Sequence, residues 1–254
     1  LYWFDADHLE LSMIPFFMAS LGFWGSVGFY NAYLPEIAPA SEHDSLSAKG
    51  YAMGYWSSLI ILVICAGMIM GIGTHTTTFS FVLVAMWWFG FAHITFNALP
   101  DPKVKDLPEG NLLLQGFREL KGVARELSGY THLKRYLGAF FIMSMAIQTI
   151  IIMASSFGIK EVGLNESELI ITIFVVNLLA IPGAFLVSAL SKRVGNIRAL
   201  MACIAGWAAL CLYAYFFATS KMGFYVAAGA IGFLMGGTQS LNRATYSKLL
   251  PKTD

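Results

Sequence analysis

Charged side chains are scarce in this sequence. Of its 254 residues, 16 are Lys or Arg and 15 are Asp or Glu, so that 12 % are charged, whereas roughly a quarter of the residues of a typical soluble domain carry a charge. The formal net charge of +1 provides no basic surface for nucleic acid. With a hydrophobic content of 57 %, this composition excludes a disordered chain, a nucleic-acid-binding domain and a secreted disulfide scaffold.

The missing charges are concentrated in long stretches. Six runs of at least 21 residues contain no Asp, Glu, Lys or Arg: 11–35, 50–100, 136–159, 169–191, 199–220 and 222–242. An amphipathic surface helix would carry charges on its wetted face, so we interpret these runs as bilayer-spanning helices. The run 50–100 is long enough for two spans, and the polar stretch 71–78 divides it. The sequence therefore predicts an all-α polytopic membrane protein with seven spans, approximately 12–34, 52–72, 78–99, 136–158, 169–190, 198–219 and 222–243.

The distribution of basic residues predicts the orientation of these spans. If residues 1–10 lie outside, 14 of the 16 Lys and Arg residues fall on the inner side, and only Lys160 and Lys221 fall outside. Because positive charge favours the cytoplasmic side, we expect the C-terminus inside. The aromatic cluster at residues 1–4 is typical of a membrane interface and predicts the end of an earlier helix, in a fragment of a longer protein.

The longest polar segment, 100–135, separates three spans from four. From Asn111 onward, apolar residues recur at spacings of 4, 3, 4 and 3: Leu113, Phe117, Leu120, Ala124 and Leu127. This is the pattern of an amphipathic helix, which we expect on the cytoplasmic surface of the membrane or on the helix bundle. A partner-binding helix is the alternative.

Two local patterns predict how individual helices begin and pack. Asn165 and Glu168 form a pair that caps the start of a helix, an interpretation we favour over glycosylation at Asn165. Gly229, Gly232 and Gly236 form a stripe of small residues on the last span. Such a stripe favours the close approach of a neighbouring helix.

Residues that could perform chemistry are few. No span contains an acidic or basic side chain away from its ends, so no proton carrier is evident. The five histidines have no metal-ligand spacing, and we predict no metal, no cofactor and no catalytic constellation. His93 is the one histidine inside a span, where a hydrogen bond to a neighbouring helix is favoured over a role as a switch.

Polar side chains inside the spans are the remaining candidates, because each is costly in lipid unless it faces the helix bundle or a wet cavity. They lie on three helices: Ser144, Gln148 and Thr149; Asn177; and Gln239, Asn242 and Arg243. For each, two interpretations stay open, a hydrogen bond between helices or a contact with a transported solute. Arg243 could pair with a carbonyl cap or attract an anionic substrate.

Three motifs are specific enough to identify a resemblance. They are FYNAYLPEIA at 29–38, SAKGYAMGY at 47–55 and GGTQSLNR at 236–243, the last followed by Leu250 and Pro251. Together they resemble the signatures of the bacterial unknown-major-facilitator family. That family is similar to the fungal vacuolar effluxers that export amino acids after autophagy, and the resemblance covers essentially the whole chain.

The resemblance implies the major facilitator fold, in which two six-helix halves surround a site that alternates between the two sides of the membrane. The seven spans would correspond to helices four to ten. Residues 1–99 would hold the end of the N-terminal half, 100–135 the cytoplasmic linker and 136–254 the start of the C-terminal half. Helices four, seven and ten usually line the central cavity, so the solute-binding candidates are Asn31, Ser144, Gln148, Thr149 and Gln239, with Asn177 in addition.

The segment 188–195 resembles the second-half copy of the superfamily's gating loop, Gly-x-x-x-Asp-Arg-x-Gly. Arg193 and Gly195 match this motif, whereas Ser188 and Lys192 replace its Gly and Asp. The resemblance therefore implies a gating loop without the charge relay that this Asp would provide. The candidates for gating or for the cytoplasmic mouth are Arg193, Gly195, Asn242 and Arg243.

We therefore expect a secondary active transporter of a small polar solute, with amino acids as the leading class, that works by alternating access in the bacterial inner membrane. Its partners would be the lipid bilayer, the solute and a coupling ion such as a proton, and not nucleic acid. A seven-helix receptor or light-driven pump is one alternative, although 222–242 lacks the lysine that a retinal protein needs in its last span. A membrane-embedded enzyme is the other alternative.

Overall fold

Helices make up nearly all of the described part of the chain. The computed structural model describes residues 9–73, 76–99, 112–127 and 129–250, and within these ranges it contains no β-strand. In chain order the helices are α1 (Leu9–Ala32), α2 (Leu34–Ile37), α3 (His43–Ile72), α4 (Thr77–Ala98), α5 (Leu112–Leu127), α6 (Thr131–Lys160), α7 (Glu166–Val194), α8 (Asn196–Phe217) and α9 (Lys221–Leu249). The prediction of an all-α fold is confirmed.

Six segments of the described chain are long and apolar enough to cross a membrane. They are Glu10–Ile37, His43–Ile72, Thr77–Ala98, Thr131–Lys160, Glu166–Val194 and Asn196–Phe217, and they coincide with six of the seven predicted spans. The seventh, 222–243, lies in α9, a continuous helix of 29 residues that is less apolar than those six. Because α9 buries more of its residues than any other described helix, it presents less surface to lipid.

The start of α7 is fixed by its own side chains. The backbone N–H of Glu168 donates to Asn165 Oδ1 over 2.9 Å, and the backbone N–H of Asn165 donates to Glu168 Oε2 over 2.8 Å. This reciprocal pair satisfies backbone donors that a helix start leaves free, and it confirms the predicted cap. Lys221 Nζ lies 2.6 Å from Glu168 Oε1, so the same carboxylate also joins the starts of α7 and α9.

Glycines bring α7 and α9 into backbone contact. A Cβ at Gly232 would collide with the carbonyl oxygen of Val176, and one at Gly236 would collide with that of Ala180. Gly183 of α7 faces the α9 backbone in the same way. The predicted stripe of small residues therefore packs against α7, as small residues do between membrane helices.

The amphipathic helix α5 exposes its apolar stripe. Phe117 and Leu120, two residues of the predicted stripe, are 77 % and 72 % exposed. An apolar stripe with this exposure fits a helix that lies on a membrane surface, and this location stays a prediction.

The chain divides into two compact units. One comprises Leu1–Ala19 and Met68–Arg135, and the other comprises Ser20–Gly67 and Tyr136–Asp254. The candidate site below lies within the second unit. Three predicted features lie outside the described residues: the helix end at 1–4, the start of the linker at 100–111, and Pro251.

Gly236→Ala tests the contact between α7 and α9. The added methyl group would meet the Ala180 carbonyl, and overpacking of this kind costs about 1–3 kcal/mol. We expect this variant to lower the Tm of the purified protein in detergent by several degrees. Gly54→Ala is the matched control, since a Cβ there meets nothing within 4 Å. An equal Tm for the two variants would show that the packing does not depend on this glycine.

Candidate functional site

One buried carboxylate lies where four helices meet. Asp44, in the first turn of α3, is 4 % exposed. It accepts hydrogen bonds from Lys248 Nζ over 2.7 Å, from Asn196 Nδ2 over 2.7 Å and from Ser191 Oγ over 3.1 Å. These donors belong to the end of α9, the start of α8 and the end of α7. Since a buried carboxylate is stable only when it is paired and hydrogen-bonded, Asp44 ties α3 to three other helices.

Further hydrogen bonds hold these donors in place. Lys248 Nζ also donates to Asn196 Oδ1 over 3.1 Å, and Asn196 Nδ2 lies 3.2 Å from Thr245 Oγ1. The Thr245 hydroxyl donates to the carbonyl oxygen of Leu241, four residues earlier in α9, over 2.7 Å. Together these hydrogen bonds form the Asp44 network, which consists of Asp44, Ser191, Asn196, Thr245 and Lys248.

A buried guanidinium lies on the same helix as Lys248. Arg243 is 8 % exposed, and its Cζ lies 4.7 Å from the ring centroid of Tyr30 and 5.2 Å from that of Tyr51. Its Nε donates to Ser47 Oγ over 3.0 Å. No carboxylate of the described residues lies within ion-pair distance of Arg243, so two cation–π contacts and one hydrogen bond stabilise the charge. These four residues are called the Arg243 clamp below.

Gly50 leaves the space that the Arg243 clamp occupies. A Cβ at this position would lie 2.9 Å from Tyr30 Oη and 3.0 Å from Arg243 Nη2. The motif at 47–55 therefore supplies a hydroxyl, an aromatic face and the room that the guanidinium needs.

Two further contacts join α3 to Gln239 and Ser240, two adjacent residues of α9. The Ser47 hydroxyl donates to the carbonyl oxygen of Ser240 over 2.7 Å. The Tyr55 hydroxyl donates to Gln239 Oε1 over 2.8 Å. The first turns of α3 and the last part of α9 are thus joined by a row of polar contacts.

Comparison with known proteins identifies the family. The sequence model of the family described as "Vacuole effluxer Atg22 like" matches residues 1–254. The chain belongs to this family. The resemblance inferred from the motifs is thereby confirmed, and so is the prediction of a multi-pass membrane protein. The family and the matched relatives are described as effluxers or transporters and not as enzymes.

Relatives of this Atg22-like chain occur in bacteria and fungi. It is 28 % identical over 255 residues to the uncharacterized MFS-type transporter YxiO of Bacillus subtilis (strain 168), an alignment that covers 97 % of this chain and 59 % of the relative. It is 27 % identical over 234 residues to Autophagy-related protein 22-2 of Aspergillus clavatus, covering 81 % of this chain and 38 % of the relative. The chain therefore spans only part of the length of both relatives. No solved structure is significantly similar to it.

The predicted site residues of α9 all join helices. Gln239 accepts a hydrogen bond from Tyr55, and Arg243 lies in the Arg243 clamp. The backbone oxygen of Asn242 accepts a hydrogen bond from the Tyr136 hydroxyl of α6 over 3.0 Å. These three residues therefore form contacts between helices, which is one of the two interpretations given above. The other, a contact with solute, stays a prediction.

The predicted residues of α6 and α7 are not brought together with those of α9. Gln148 and Thr149 are exposed, and Ser144 is half-buried. Thr149 Oγ1 and Asn177 Nδ2 each donate over 2.9 Å to the carbonyl oxygen four residues earlier in their own helix. These hydrogen bonds are local, and a role in solute binding stays a prediction here too.

Asn31 of α1 has an open hydrogen-bonding position. The residue is half-buried, and its Oδ1 is buried without a hydrogen-bond partner among the described residues. Leaving a buried acceptor unpaired costs about 1–3 kcal/mol. Its chain neighbour Tyr30 belongs to the Arg243 clamp, so this open acceptor adjoins the candidate site in the sequence.

The predicted gating loop is mostly helical: residues 188–194 form the end of α7, and Gly195 alone separates α7 from α8. Gly195 has a φ of +88°, a conformation that glycine adopts without strain, and its N–H donates to the Ser191 carbonyl oxygen over 2.8 Å. The last turn of α7 presents the Ser191 hydroxyl to Asp44 of α3. Lys192 stands where the motif has Asp, and the acid at this interface is Asp44 instead. Arg193 is exposed and forms no ion pair with a described residue.

Asp44, the central residue of the site, was not predicted from the sequence. Asp44 precedes the second predicted span, so the sequence assigns it to an aqueous loop. Its partners lie 147 to 204 residues further along the chain, which no local pattern can reveal. The available signal is the motif at 47–55, which contains Ser47 and Tyr51 of the Arg243 clamp.

The expectation that His93 forms a hydrogen bond to a neighbouring helix is wrong. Its ring Nδ1 lies 2.9 Å from the carbonyl oxygen of Phe89, in the same helix and not in a neighbouring one. Because the His93 side chain is exposed on α4, the carbonyl oxygen one turn earlier is the acceptor within its reach.

Two cavities adjoin the helices of the second unit. An apolar cavity of about 200 Å³ lies between α6, α7 and α9, and its lining includes Ile151, Thr172, Val176, Phe224 and Met235. A polar cavity of about 270 Å³ is lined by Ser41, Glu42, Ser45, Leu46, Lys49 and Lys192. Within the described ranges, no three His, Cys, Asp or Glu side chains are grouped so that they could hold a metal ion.

Asp44→Asn tests the energetic weight of the Asp44 network. Removing one partner of a buried ion pair costs about 3–5 kcal/mol, so we expect the Tm of the protein in detergent to fall by roughly 10 °C. Glu36→Gln, which changes an exposed acid on α2, is the control. In the Asp44→Asn background, Lys248→Met should cost much less than it does alone, because the pair is already broken. Equal Tm values for Asp44→Asn and Glu36→Gln would show that the network contributes little.

Proposed function

We propose that the chain is part of a secondary active transporter for a small polar solute, with amino acids foremost, that works by alternating access. The observation that carries this proposal is the location of the Asp44 network. It joins residues 20–67 to residues 136–254, which the family resemblance assigns to the two halves of the fold. It lies at helix ends that the basic residues assign to the cytoplasmic side. Alternating access requires such a junction to form and break in each cycle.

In this interpretation, the conformation described is closed at its cytoplasmic end. Asp44, Ser47 and Tyr55 of α3 form hydrogen bonds of 2.7–3.1 Å with α7, α8 and α9, and the two tyrosines of the Arg243 clamp hold a charge of α9. All of these contacts have to separate for the inner end to open. Polar contacts suit such an interface, because water can replace each hydrogen bond when the helices move apart.

The solute class, the membrane and the coupling ion of the proposal come from the family resemblance. Amino acids are proposed because the motifs resemble those of amino-acid effluxers, and a bacterial inner-membrane location is proposed because they resemble bacterial members of the family. A coupling ion such as a proton is part of the same proposal. Asp44 is the one acid that is buried among the described residues, and it lies at a helix end rather than at mid-span.

Flux measurements on the full-length protein in proteoliposomes test the solute class. We expect uptake of labelled amino acids without chemical conversion, at a rate that differs between two pH values because proton coupling makes flux depend on the pH gradient. Gln148→Ala probes a candidate solute residue on α6, and Arg243→Ala probes a candidate for the cytoplasmic mouth on α9. Unchanged flux in both variants would discard these two assignments, and the absence of flux for every amino acid would contradict the solute class.

A reversible cross-link tests the proposed opening of the cytoplasmic end. Ser47 Oγ lies 2.7 Å from the Ser240 backbone oxygen, so these two positions adjoin each other across the interface and are chosen for a pair of cysteines. In a full-length protein whose native cysteines are all replaced by serine, oxidation of Ser47→Cys/Ser240→Cys should stop transport and a reductant should restore it. The two single variants are the controls. Full flux with the disulfide formed would show that this interface does not open during transport.

A further inference from the structure

The polar cavity of about 270 Å³ lies directly beside the Asp44 network. Ser45, in its wall, follows Asp44 in the chain. Lys192, on its other side, follows Ser191, which donates to Asp44. The cavity therefore crosses the interface between α3 and α7, at the point where the network holds these helices together.

The two lysines of this cavity have no counter-charge within bonding distance. Neither Lys49 nor Lys192 forms an ion pair or a hydrogen bond with a described residue, although Glu42 lines the same cavity. Lys49 belongs to α3 and Lys192 to the last turn of α7, so each of the two helices contributes one positive charge to the cavity. An anion bound in the cavity can therefore pair with both helices at once.

The chemistry of the lining matches a phosphate group. Two ammonium groups and the hydroxyls of Ser41 and Ser45 are hydrogen-bond donors, and Glu42 is the single carboxylate. A phosphate group brings several acceptor oxygens and up to two negative charges. Helix α3 begins at His43, so the positive end of its dipole lies beside the cavity.

The cavity has a volume of about 270 Å³ and provides room for a phosphate group and a small substituent such as glycerol. Leu46 offers an apolar contact for that substituent.

We propose that this cavity binds a phosphate group between Lys49 and Lys192, and that the bound phosphate holds α3 and α7 together. The phosphate can belong to a lipid head group of the cytoplasmic leaflet or to a free phosphate ester, since both present the same oxygens. A ligand that contacts both lysines only when the helices are together stabilises the closed conformation by mass action. The binding itself does not depend on the proposed transport function, whereas its effect on opening rests on it.

Thermal stability of the full-length protein in detergent tests the binding without requiring transport. The probes are inorganic phosphate, a water-soluble short-chain phosphatidic acid and the diacylglycerol with the same chains but no phosphate, all at constant ionic strength. At about 100 times its Kd, a phosphate probe should raise the Tm by roughly 5–10 °C, and the diacylglycerol should not. A shift with phosphatidic acid alone assigns the site to a lipid head group, and a shift with inorganic phosphate as well assigns it to phosphate from either source.

Matched variants assign the shift to this cavity. Lys49→Gln/Lys192→Gln should abolish the shift and leave the Tm without ligand near that of the wild type, because both lysines are exposed. Lys49→Arg/Lys192→Arg should retain most of it, since both charges stay. Lys160→Gln changes an exposed lysine at the far end of α6 and should retain the full shift.

Three results would overturn the proposed binding: no Tm change with either phosphate probe, an equal change with the diacylglycerol, or a full shift in the double glutamine variant. In proteoliposomes, the bound phosphate should also lower the flux of the wild type and not that of the double glutamine variant. A Tm shift without a change in flux would support phosphate binding. It would contradict the proposal that the bound phosphate keeps α3 and α7 together.

Discussion

A carboxylate that is 4 % exposed, such as that of Asp44, needs hydrogen-bond donors. This requirement places the ends of four helices beside one another. Its donors are side chains at the end of α7, the start of α8 and the end of α9, and all three ends have to reach the first turn of α3. The glycines that let α7 and α9 touch through their backbones set the position of Lys248. The positive φ of Gly195 forms the break between α7, which carries Ser191, and α8, which begins at Asn196. The burial of the Asp44 charge thus depends both on the packing of α7 against α9 and on the break at Gly195.

The same constraint explains the composition of α9. A helix that only faced lipid would be apolar throughout, whereas the inner part of α9 presents Gln239, Arg243 and Lys248 to α3. Because these groups form hydrogen bonds and cation–π contacts, the interface can be hydrated when it separates. This is the property that an interface at the entrance of an alternating-access transporter needs. For stability alone, burying Arg243 with no acid partner among the described residues would be unfavourable.

Much of the architecture could be predicted, because it depends on local chemistry. The uncharged runs predicted the helices. The four residues from Asn165 to Glu168 predicted the cap of α7, which the structure confirms. Contacts between distant segments were beyond prediction. The gating motif showed that an acid was missing at Lys192, but only the fold could show that Asp44, on another helix, serves this interface. On α6, Gln148 shares a polar face with Ser144 in sequence, yet no described contact joins that face to another helix.

The dependence of the closed conformation on Asp44 is the central claim, and a distance measurement tests it most directly. Spin labels on Ser41→Cys and Arg193→Cys, two exposed positions on opposite sides of the interface, would report its width in the full-length, cysteine-free protein by double electron–electron resonance. A single short-distance population is predicted with Asp44 intact, and a shift toward longer distances with Asp44→Asn. Identical distance distributions for the two proteins would contradict the claim.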